Sequence, residues 1–269
     1  MTGALSQEEL EQYRSQGYLL RNSVFAPEEV DSLVAAAEAL YRVDSPARTV
    51  ERDGVTVRAV HACHTSSDVF AAVIKDPRML LPAHQIVGTD SVYIHQSKIN
   101  AKRALEGDVW QWHQDFTYWH WEDGMRAPNA VNLAILLDAA TEFNGPLLLV
   151  PGSHRQGLMD PARRDSGAGP ESWKNHLAAD LEYTVQVKDL AELSEESGIF
   201  SATAPAGSVL LFDPQIVHGS GVNMSPIDRR MAIFSYNEVA NLPVPPGDGR
   251  PKFLSSREAA PLELAAWTG

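Results

Sequence analysis

The chain has 269 residues, of which 44% are hydrophobic and 21% charged, a balance typical of globular proteins, and this length suits one sizeable domain or two small ones. Its formal net charge of −13 repels phosphate backbones, so we do not expect nucleic acid as a partner. Cys63 is the only cysteine, which excludes an intramolecular disulfide. We find neither a secretory signal nor an apolar stretch that could span a membrane, and we therefore expect a soluble cytoplasmic protein without a membrane partner.

The chain opens with a predicted helix and a short strand. Ser6 precedes two glutamates, a pattern that favours an N-cap with negative charge in the first turn. Gly17 predicts the end of this helix, because glycine adopts the left-handed conformation of a C-terminal cap at little cost. The apolar residues 18–20 then predict a strand.

Helices are predicted for most of the remaining first ninety residues. Pro27 opens a second helix, because proline suits the first helical position. Residues 68–88 are predicted to be helical, with breaks around Pro77 and Pro82. Between these helices, residues 55–60 alternate as a strand does.

From about residue 91 to residue 240 the hydrophobic period changes to two. Five alternating segments, separated by Gly, Pro and Asn turn signals, are 91–100, 131–138, 146–152, 207–213 and 230–237. Many short strands of this kind predict a β-sandwich or barrel. Residues 155–200 are polar and irregular, and they form either a functional lid or a mobile surface excursion. The Pro-rich tail after residue 240 is expected to wrap the surface.

The most informative stretch is Trp-Gln-Trp-His-Gln-Asp at residues 110–115. Alternation along a strand would place His113 and Asp115 on one face, where a nitrogen and a carboxylate oxygen can meet at one metal. His218 follows another predicted strand. Two histidines and one carboxylate are the facial triad of non-haem iron oxygenases. A His-x-Asp pair alone is a weak signal, because a single histidine is usually a packed or surface residue.

Arg229 stands eleven residues after His218, a spacing that allows a turn and a returning strand. A guanidinium that points into the same cavity would bind a dicarboxylate through two parallel hydrogen bonds. Arg230 is the alternative, because strand alternation sends one of the two side chains outward. Both arginines could instead form a solvated basic pair at the start of a strand.

These motifs resemble those of the phytanoyl-CoA dioxygenase superfamily of Fe(II)- and 2-oxoglutarate-dependent oxygenases. Stretches similar to ectoine hydroxylases are residues 112–125 (WHQDFTYWHWEDGM), 144–154 (NGPLLLVPGSH) and 218–226 (HGSGVNMSP). Stretches similar to bacterial trans-4-proline hydroxylases, which match more of the chain, are 44–64, 95–115 and 201–226. The likeness runs from about Glu9 to Leu264.

The resemblance implies a mainly β fold, the double-stranded β-helix (a jelly roll, cupin-like), with flanking N-terminal helices. A single oxygenase domain would span residues 1–269, with a mainly helical part at 1–90, a β-helix core at about 91–240 and a C-terminal tail at 241–269. The resemblance also implies that His113, Asp115 and His218 are the catalytic Fe(II) ligands and that 2-oxoglutarate and O₂ are co-substrates. The carboxylate of Asp115 favours hydroxylation, because related halogenases replace it to make room for chloride.

Further site residues follow from the same resemblance. Residues expected to contact 2-oxoglutarate are Arg229, Ser220, Lys98, Asn100, Asn132 and Trp110. Gln96 and Trp119 are expected to contact substrate. Alternation places Gln96, Lys98 and Asn100 on one strand face, which lines the site unless the strand is a solvent-facing edge. Trp119 is equally consistent with a core aromatic residue.

The substrate is predicted to be a small free amino acid. Glu122 or Asp123 could pair with a secondary ammonium, unless both belong to a solvated turn, and Trp119 could pack on a small ring. L-Proline, hydroxylated at the trans-4 position, is the first candidate, with pipecolate or another free amino acid as related possibilities. The alternatives are an ectoine hydroxylase and a non-catalytic β-barrel binding protein. The sequence leaves the oligomeric state open.

Overall fold

The computed structural model describes residues 3–164 and 180–269. Its first helix begins and ends as predicted. The Ser6 side chain accepts a hydrogen bond from the Glu9 amide (3.1 Å), and the Glu9 carboxylate accepts one from the Ser6 amide (2.8 Å), so the two residues form a capping box. Gly17 ends the helix in the left-handed conformation, with φ at 79°.

Seven α-helices lie in the described ranges: α1 (Gln7–Gln16), α2 (Pro27–Tyr41), α3 (Cys63–Ser66), α4 (Asp68–Val73), α5 (Pro77–Val87), α6 (Asp115–Trp121) and α7 (Val187–Ser197). The predicted break at Pro77 is confirmed, but Pro82 lies inside α5 and does not end it. Asp76 caps α5 by accepting from the Arg78 amide at 2.8 Å. Residues 155–200 are less irregular than predicted, because they contain α7 and short strands.

The strands form two larger antiparallel sheets and a two-stranded ribbon. The strands are β1 (Tyr18–Arg21), β2 (Arg48–Val50), β3 (Val57–His61), β4 (Val92–Lys102), β5 (Trp110–His113), β6 (Ala130–Leu136), β7 (Leu148–Leu149), β8 (Ala162–Arg163), β9 (Tyr183–Thr184), β10 (Phe200–Ser201), β11 (Val209–Phe212), β12 (His218–Ser220) and β13 (Arg229–Glu238). The large sheet has the order β1-β11-β6-β13-β4-β3-β2, and the small sheet has the order β10-β7-β12-β5.

The N-terminal part contributes more to the sheets than the sequence predicted. Strands β1, β2 and β3 all join the large sheet, so residues 1–90 are not only a helical flank. β1 pairs with β11, and β3 pairs with β4. The N-terminal part therefore completes both edges of the sheet that carries part of the candidate site.

Alternation on the central strands separates two apolar clusters. On β13, Met231 and Ile233 pack between the two sheets, with Leu149 of the small sheet in the same cluster. Ala232 and Phe234, on the opposite face, pack with the N-terminal helices. Burial of each large side chain stabilises the fold by roughly 1.5–3 kcal/mol. The large sheet therefore lies between the helices and the small sheet, and its inner face looks toward the small sheet.

The C-terminal tail does more than wrap the surface. Arg250 and Leu254 are buried, and the Leu254 carbonyl accepts a hydrogen bond from Gln96 Nε2 of β4 at 2.9 Å. Farther along, the Leu262 amide donates to the Val92 carbonyl at 2.9 Å. The tail is thus packed against one end of β4. Across residues 3–164 and 180–269, we find no helix with the length and apolar character needed to cross a membrane.

Candidate metal centre

Three different elements bring the predicted metal ligands together. His113 is the last residue of β5, and His218 is the first residue of β12, directly opposite it in the antiparallel pair. Asp115 is not on the strand, as the alternation argument assumed, but is the first residue of α6. The chain turns from strand into helix after Gln114, and this turn, instead of strand alternation, aims the carboxylate at the two imidazoles.

The donor atoms of His113, Asp115 and His218 all lie within 4.8 Å of one another. His113 Nε2 is 3.7 Å from Asp115 Oδ1, and His218 Nε2 is 3.9 Å from Asp115 Oδ2. Each imidazole Nδ1 lies within hydrogen-bond distance of a backbone carbonyl, Gln111 O at 2.6 Å and Ile216 O at 3.0 Å. A proton on each Nδ1 leaves both Nε2 lone pairs free for a metal, so the residues fit a cation.

Electrostatics keep these side chains in their ligand forms. Burial lowers the pKa of His113 to about 3, with a further contribution from His218. Burial also lowers the pKa of His218. For Asp115 burial acts to raise the pKa, but Lys98 and the two histidines outweigh it and hold the pKa below its ordinary value. The triad is therefore two neutral imidazoles and one carboxylate.

Two residues of the large sheet hold the Asp115 carboxylate. Asn132 of β6 donates from Nδ2 to Asp115 Oδ2 at 3.0 Å, and Ser235 of β13 donates to Asn132 Oδ1 at 2.6 Å. Lys98 Nζ lies 3.6 Å from Asp115 Oδ1. Hydrogen bonds of this kind orient a metal ligand. The structure thus places Asn132 and Lys98, which were predicted as co-substrate contacts, against the metal ligand.

The inner face of β4 is polar along its length. Gln96, Lys98, Asn100 and Lys102 pair in register with Ser235, Ile233, Met231 and Arg229 of β13. β4 is a central strand, so the solvent-facing edge considered as an alternative is wrong. Lys102 Nζ donates to the Asp108 and Gly221 carbonyls, the latter at 2.6 Å. Burial lowers the pKa of Lys102 to about 6.

Arg229 is a buried cation without a carboxylate partner in the described ranges. Its side chain is 1% exposed, and Nε donates to the Gly145 carbonyl at 3.0 Å. Burial lowers the pKa of Arg229 to about 10. Arg230 lies on the opposite face, where it pairs with Asp138 at 2.7 Å and with Glu38 at 2.8 Å. A buried guanidinium without a counter-ion fits a carboxylate ligand.

Two other predicted co-substrate residues also have buried polar atoms without a partner. Within the described part of the chain, Ser220 Oγ and Asn100 Oδ1 make no hydrogen bond. Trp110 pairs with Ser220 across β5 and β12, and the Arg58 guanidinium stacks 3.8 Å from the centre of its ring. Because buried polar groups normally have partners, these atoms fit a polar ligand bound at the centre.

A cavity opens beside the triad. Its wall consists of His61, Gln96, Lys98, Trp110, His113, Asp115, Tyr118, Trp119, Leu181 and Arg250. Trp119 is both a core residue and part of this wall, since it is 1% exposed and meets the His95 ring edge-to-face at 5.1 Å. The cavity therefore combines an apolar surface with several charged groups, as small-molecule sites do.

The two predicted acidic substrate residues are not part of this wall. Asp123 is fully buried, and its oxygens accept from Arg250 Nε at 2.8 Å and Nη2 at 2.6 Å. Glu122 accepts from the Tyr183 hydroxyl at 2.6 Å. Both residues follow directly after α6, which ends at Trp121. Both carboxylates thus already have protein partners, and the pairing of either one with a substrate ammonium stays a prediction.

Four wall residues were not predicted from the sequence, namely His61, Tyr118, Leu181 and Arg250. His61 and Tyr118 stand inside recognised stretches in which no pattern marks them, and Arg250 stands in a Pro- and Gly-rich tail where a charge ordinarily predicts exposure. Leu181 belongs to the segment 155–200, predicted as either a lid or a mobile surface excursion, and its amide donates to Gln111 Oε1 at 2.9 Å. That segment thus reaches the cavity, while its residues 165–179 lie outside the described residues.

With this geometry established, comparison with known proteins places the chain. The model of the phytanoyl-CoA dioxygenase (PhyH) family matches residues 13–231. The chain belongs to this family. It is 38% identical to L-proline trans-4-hydroxylase of Streptomyces griseoviridis over 250 residues, covering 93% of this chain and 92% of that one. It is 39% identical to ectoine dioxygenase of Halomonas elongata, covering 94% of this chain and 77% of that one.

Solved structures agree with the family assignment. The crystal structure of EctD from S. alaskensis with 2-oxoglutarate and 5-hydroxyectoine has a TM-score of 0.83 and 31% identity to this chain, and the match covers 98% of this chain and 88% of EctD. Its form with bound Fe has a TM-score of 0.82. The protein is therefore an iron- and 2-oxoglutarate-dependent oxygenase with a mostly antiparallel β fold and a His-Asp-His metal-binding triad.

Proposed function

We propose that this enzyme hydroxylates a free cyclic amino acid, L-proline first, at a ring carbon away from the carboxylate. The observation that carries the proposal is the 38% identity to L-proline trans-4-hydroxylase, which extends over 93% of this chain and 92% of the relative. Related substrates such as pipecolate are included, because one methylene changes binding by only about 1–3 kcal/mol.

Each group at the centre has a distinct task in this proposal. His113, Asp115 and His218 hold Fe(II), and Arg229 binds the distal carboxylate of 2-oxoglutarate. Ser220 Oγ donates a hydrogen bond to the co-substrate, Asn100 contacts it, and Trp110 closes its side of the site. When bound, iron and 2-oxoglutarate supply the oxidation that places one oxygen atom of O₂ on a C–H carbon and leaves succinate and carbon dioxide.

The cavity residues supply the selectivity. Two nitrogens of Arg250 are held by Asp123, while Nη1 makes no hydrogen bond within the described ranges and is available to a substrate carboxylate. Trp119 offers an apolar surface for a small ring, and Gln96 a polar edge. The protein thereby presents one C–H bond of the substrate to the metal and keeps the other C–H bonds of the substrate away from it.

Ectoine is the second candidate. Ectoine dioxygenases are frequent among the relatives, and the structural neighbour EctD is known with 5-hydroxyectoine. However, the chain spans between 77% and 89% of the ectoine dioxygenases it matches, compared with 92% of the proline hydroxylase. The difference in coverage favours proline.

We also infer that the two facing sheets form the double-stranded β-helix of one oxygenase domain, residues 1–269. The central part, about 91–240, supplies the three metal ligands and Arg229. The tail, 241–269, adds the Arg250 wall of the substrate cavity.

The test is product analysis with a substrate panel. The purified enzyme is supplied with Fe(II), 2-oxoglutarate and O₂, together with L-proline, L-pipecolate, ectoine or a linear amino acid. We expect succinate release coupled to a hydroxylated proline, with weaker activity on pipecolate. Turnover of ectoine or a linear amino acid, with no turnover of the two ring amino acids, would refute the proline assignment and leave the metal assignment intact.

A further inference from the structure

His61 is a buried imidazole that is neither a metal ligand nor one of the residues expected to contact 2-oxoglutarate. It is the last residue of β3, opposite Lys98 of β4, and its side chain is 2% exposed. Neither ring nitrogen has a hydrogen-bond partner among residues 3–164 and 180–269. His61 is the only one of the ten cavity-wall residues with such orphaned side-chain atoms. Since buried polar groups are normally satisfied, the ring is placed for a ligand.

The charges around His61 define which ligand group fits. Lys98 on β4 and Arg250 on the tail are the charged groups that act on it, and both are cations. Burial, reinforced by these two cations, lowers the pKa of His61 to about 3. The ring is therefore neutral and carries one N–H donor. The carboxylates nearest to these cations are already engaged, Asp115 with Lys98 and Asp123 with Arg250.

A positive surrounding attracts an anion and repels an ammonium. Arg250 belongs to the same cavity wall, and its Nη1 atom makes no hydrogen bond to a described residue. We propose that His61 and Arg250 together form the carboxylate subsite of the amino-acid substrate, with His61 donating its ring N–H to one carboxylate oxygen. The inference rests on the proposed function, because it requires a substrate that carries a carboxylate.

The experiment compares two ring variants at this position with a matched control. His61→Phe keeps a planar ring and removes the donor, while His61→Gln keeps an N–H donor. His64→Phe is the control, because His64 is also a largely buried imidazole but is hydrogen-bonded to Ser97 at 2.6 Å and lies outside the cavity wall. Circular dichroism shows whether each variant is folded. Visible absorption measures whether it binds Fe(II) and 2-oxoglutarate.

The readout is kcat/KM for L-proline against L-prolinamide, which lacks the carboxylate. Where the amide is turned over too slowly, its inhibition constant against proline replaces kcat/KM. We expect His61→Phe to lower kcat/KM for proline by about ten- to a hundredfold, because a hydrogen bond to a charged group is lost. We expect little change for the amide, substantial recovery in His61→Gln and near wild-type values in His64→Phe.

Equal losses on proline and prolinamide would place His61 against the ring or the amine and overturn the inference, as would unchanged proline kinetics in His61→Phe. If His61→Phe does not fold, the test rests on His61→Gln. Equal losses of proline turnover and prolinamide turnover in that variant would also overturn the inference. If the wild-type enzyme acts on ectoine instead, the proposed function fails alone, and the same comparison is made between ectoine and its carboxamide. If no carboxylate-bearing substrate is turned over, both the proposed function and the inference fail.

Discussion

Individual side chains at the centre are defined by the partners they lack. Arg229 is a buried cation without a carboxylate, and Ser220 Oγ and both nitrogens of His61 have no hydrogen bond in the described part of the structure. Elsewhere, buried charges such as Arg58 and Glu51 are paired, at 2.9 Å. An unsatisfied buried polar group costs roughly 1–3 kcal/mol, and we expect bound ligands to remove this cost at the centre.

Replacement of Asp115 tests the metal assignment. Asp115→Ala removes the only carboxylate of the triad, so we expect hydroxylation to be abolished and affinity for Fe(II) to fall, with an unchanged circular dichroism spectrum. Asn132→Ala keeps the carboxylate but removes the hydrogen bond that orients it, and we expect about ten- to a hundredfold weaker metal binding. Full turnover by Asp115→Ala would show that the iron is held elsewhere.

The two adjacent arginines provide a paired test of the co-substrate site. Arg229→Ala should raise the KM for 2-oxoglutarate by about ten- to a hundredfold, because a contact between charged groups is lost. Arg230→Ala should lower the melting temperature through loss of its pairs with Asp138 and Glu38, and should leave the KM unchanged. The reverse pattern, measured by succinate formation, would mean that Arg230 binds 2-oxoglutarate.

For helices and strands, the sequence was sufficient to predict those features that depend only on neighbouring residues. The capping residues Ser6 and Gly17 and the strand alternation that separates Arg229 from Arg230 all depend on near neighbours. These features follow from propensity and periodicity. The joint assignment of His113 and His218 to one site came from the facial-triad residue types together with the family resemblance.

Other features depend on contacts between distant segments and were not predictable. The chain switches from strand to helix at Asp115, but the N-cap residue, Gln114, makes no side-chain capping hydrogen bond that would predict this switch. Arg250 is a buried cavity residue that pairs with Asp123, which lies 127 positions away along the chain. His61 is unremarkable as one of nine histidines until β3 pairs with β4. Tertiary pairing, which a single sequence does not display, decides all three.

The link between α6 and the C-terminal tail should be a major source of stability. Asp123→Asn leaves Arg250 buried with a weakened partner, and removal of one member of a buried pair costs roughly 3–5 kcal/mol. We expect a clear fall in the urea midpoint. The control is Glu258→Gln in the exposed Lys252–Glu258 pair of the same tail, where we expect no measurable change. Equal midpoints for the two variants would show that the tail does not depend on this pair.

For the whole molecule, buried neutral histidines make stability depend on pH. Burial lowers the folded-state pKa of His61 to about 3 and that of His64 to about 4. Unfolding exposes both rings to water, where their pKa returns to about 6.5. Below about pH 6.5 the unfolded chain therefore binds more protons than the folded chain, and stability decreases as the pH falls toward the folded-state values.

Urea unfolding of the metal-free protein between about pH 6.5 and pH 5 measures this effect. Each of the two histidines contributes a slope of up to about 1.4 kcal/mol per pH unit. The double variant with His61→Phe and His64→Phe should lose most of that contribution, so its free energy of unfolding should vary less over this range. A slope equal to that of the wild-type protein would mean that both rings are already protonated in the folded state.

The direct pairing of His113 with His218 also affects how the chain finds its fold. A slip of β12 by one residue against β5 would turn His218 to the other face and present a neighbour in its place. A divalent cation at the triad stabilises only chains whose two strands are correctly aligned, since binding favours the state that forms the site. The cation thus selects the correct strand register during folding. Refolding in its presence should give a larger fraction of native protein than refolding with a chelator.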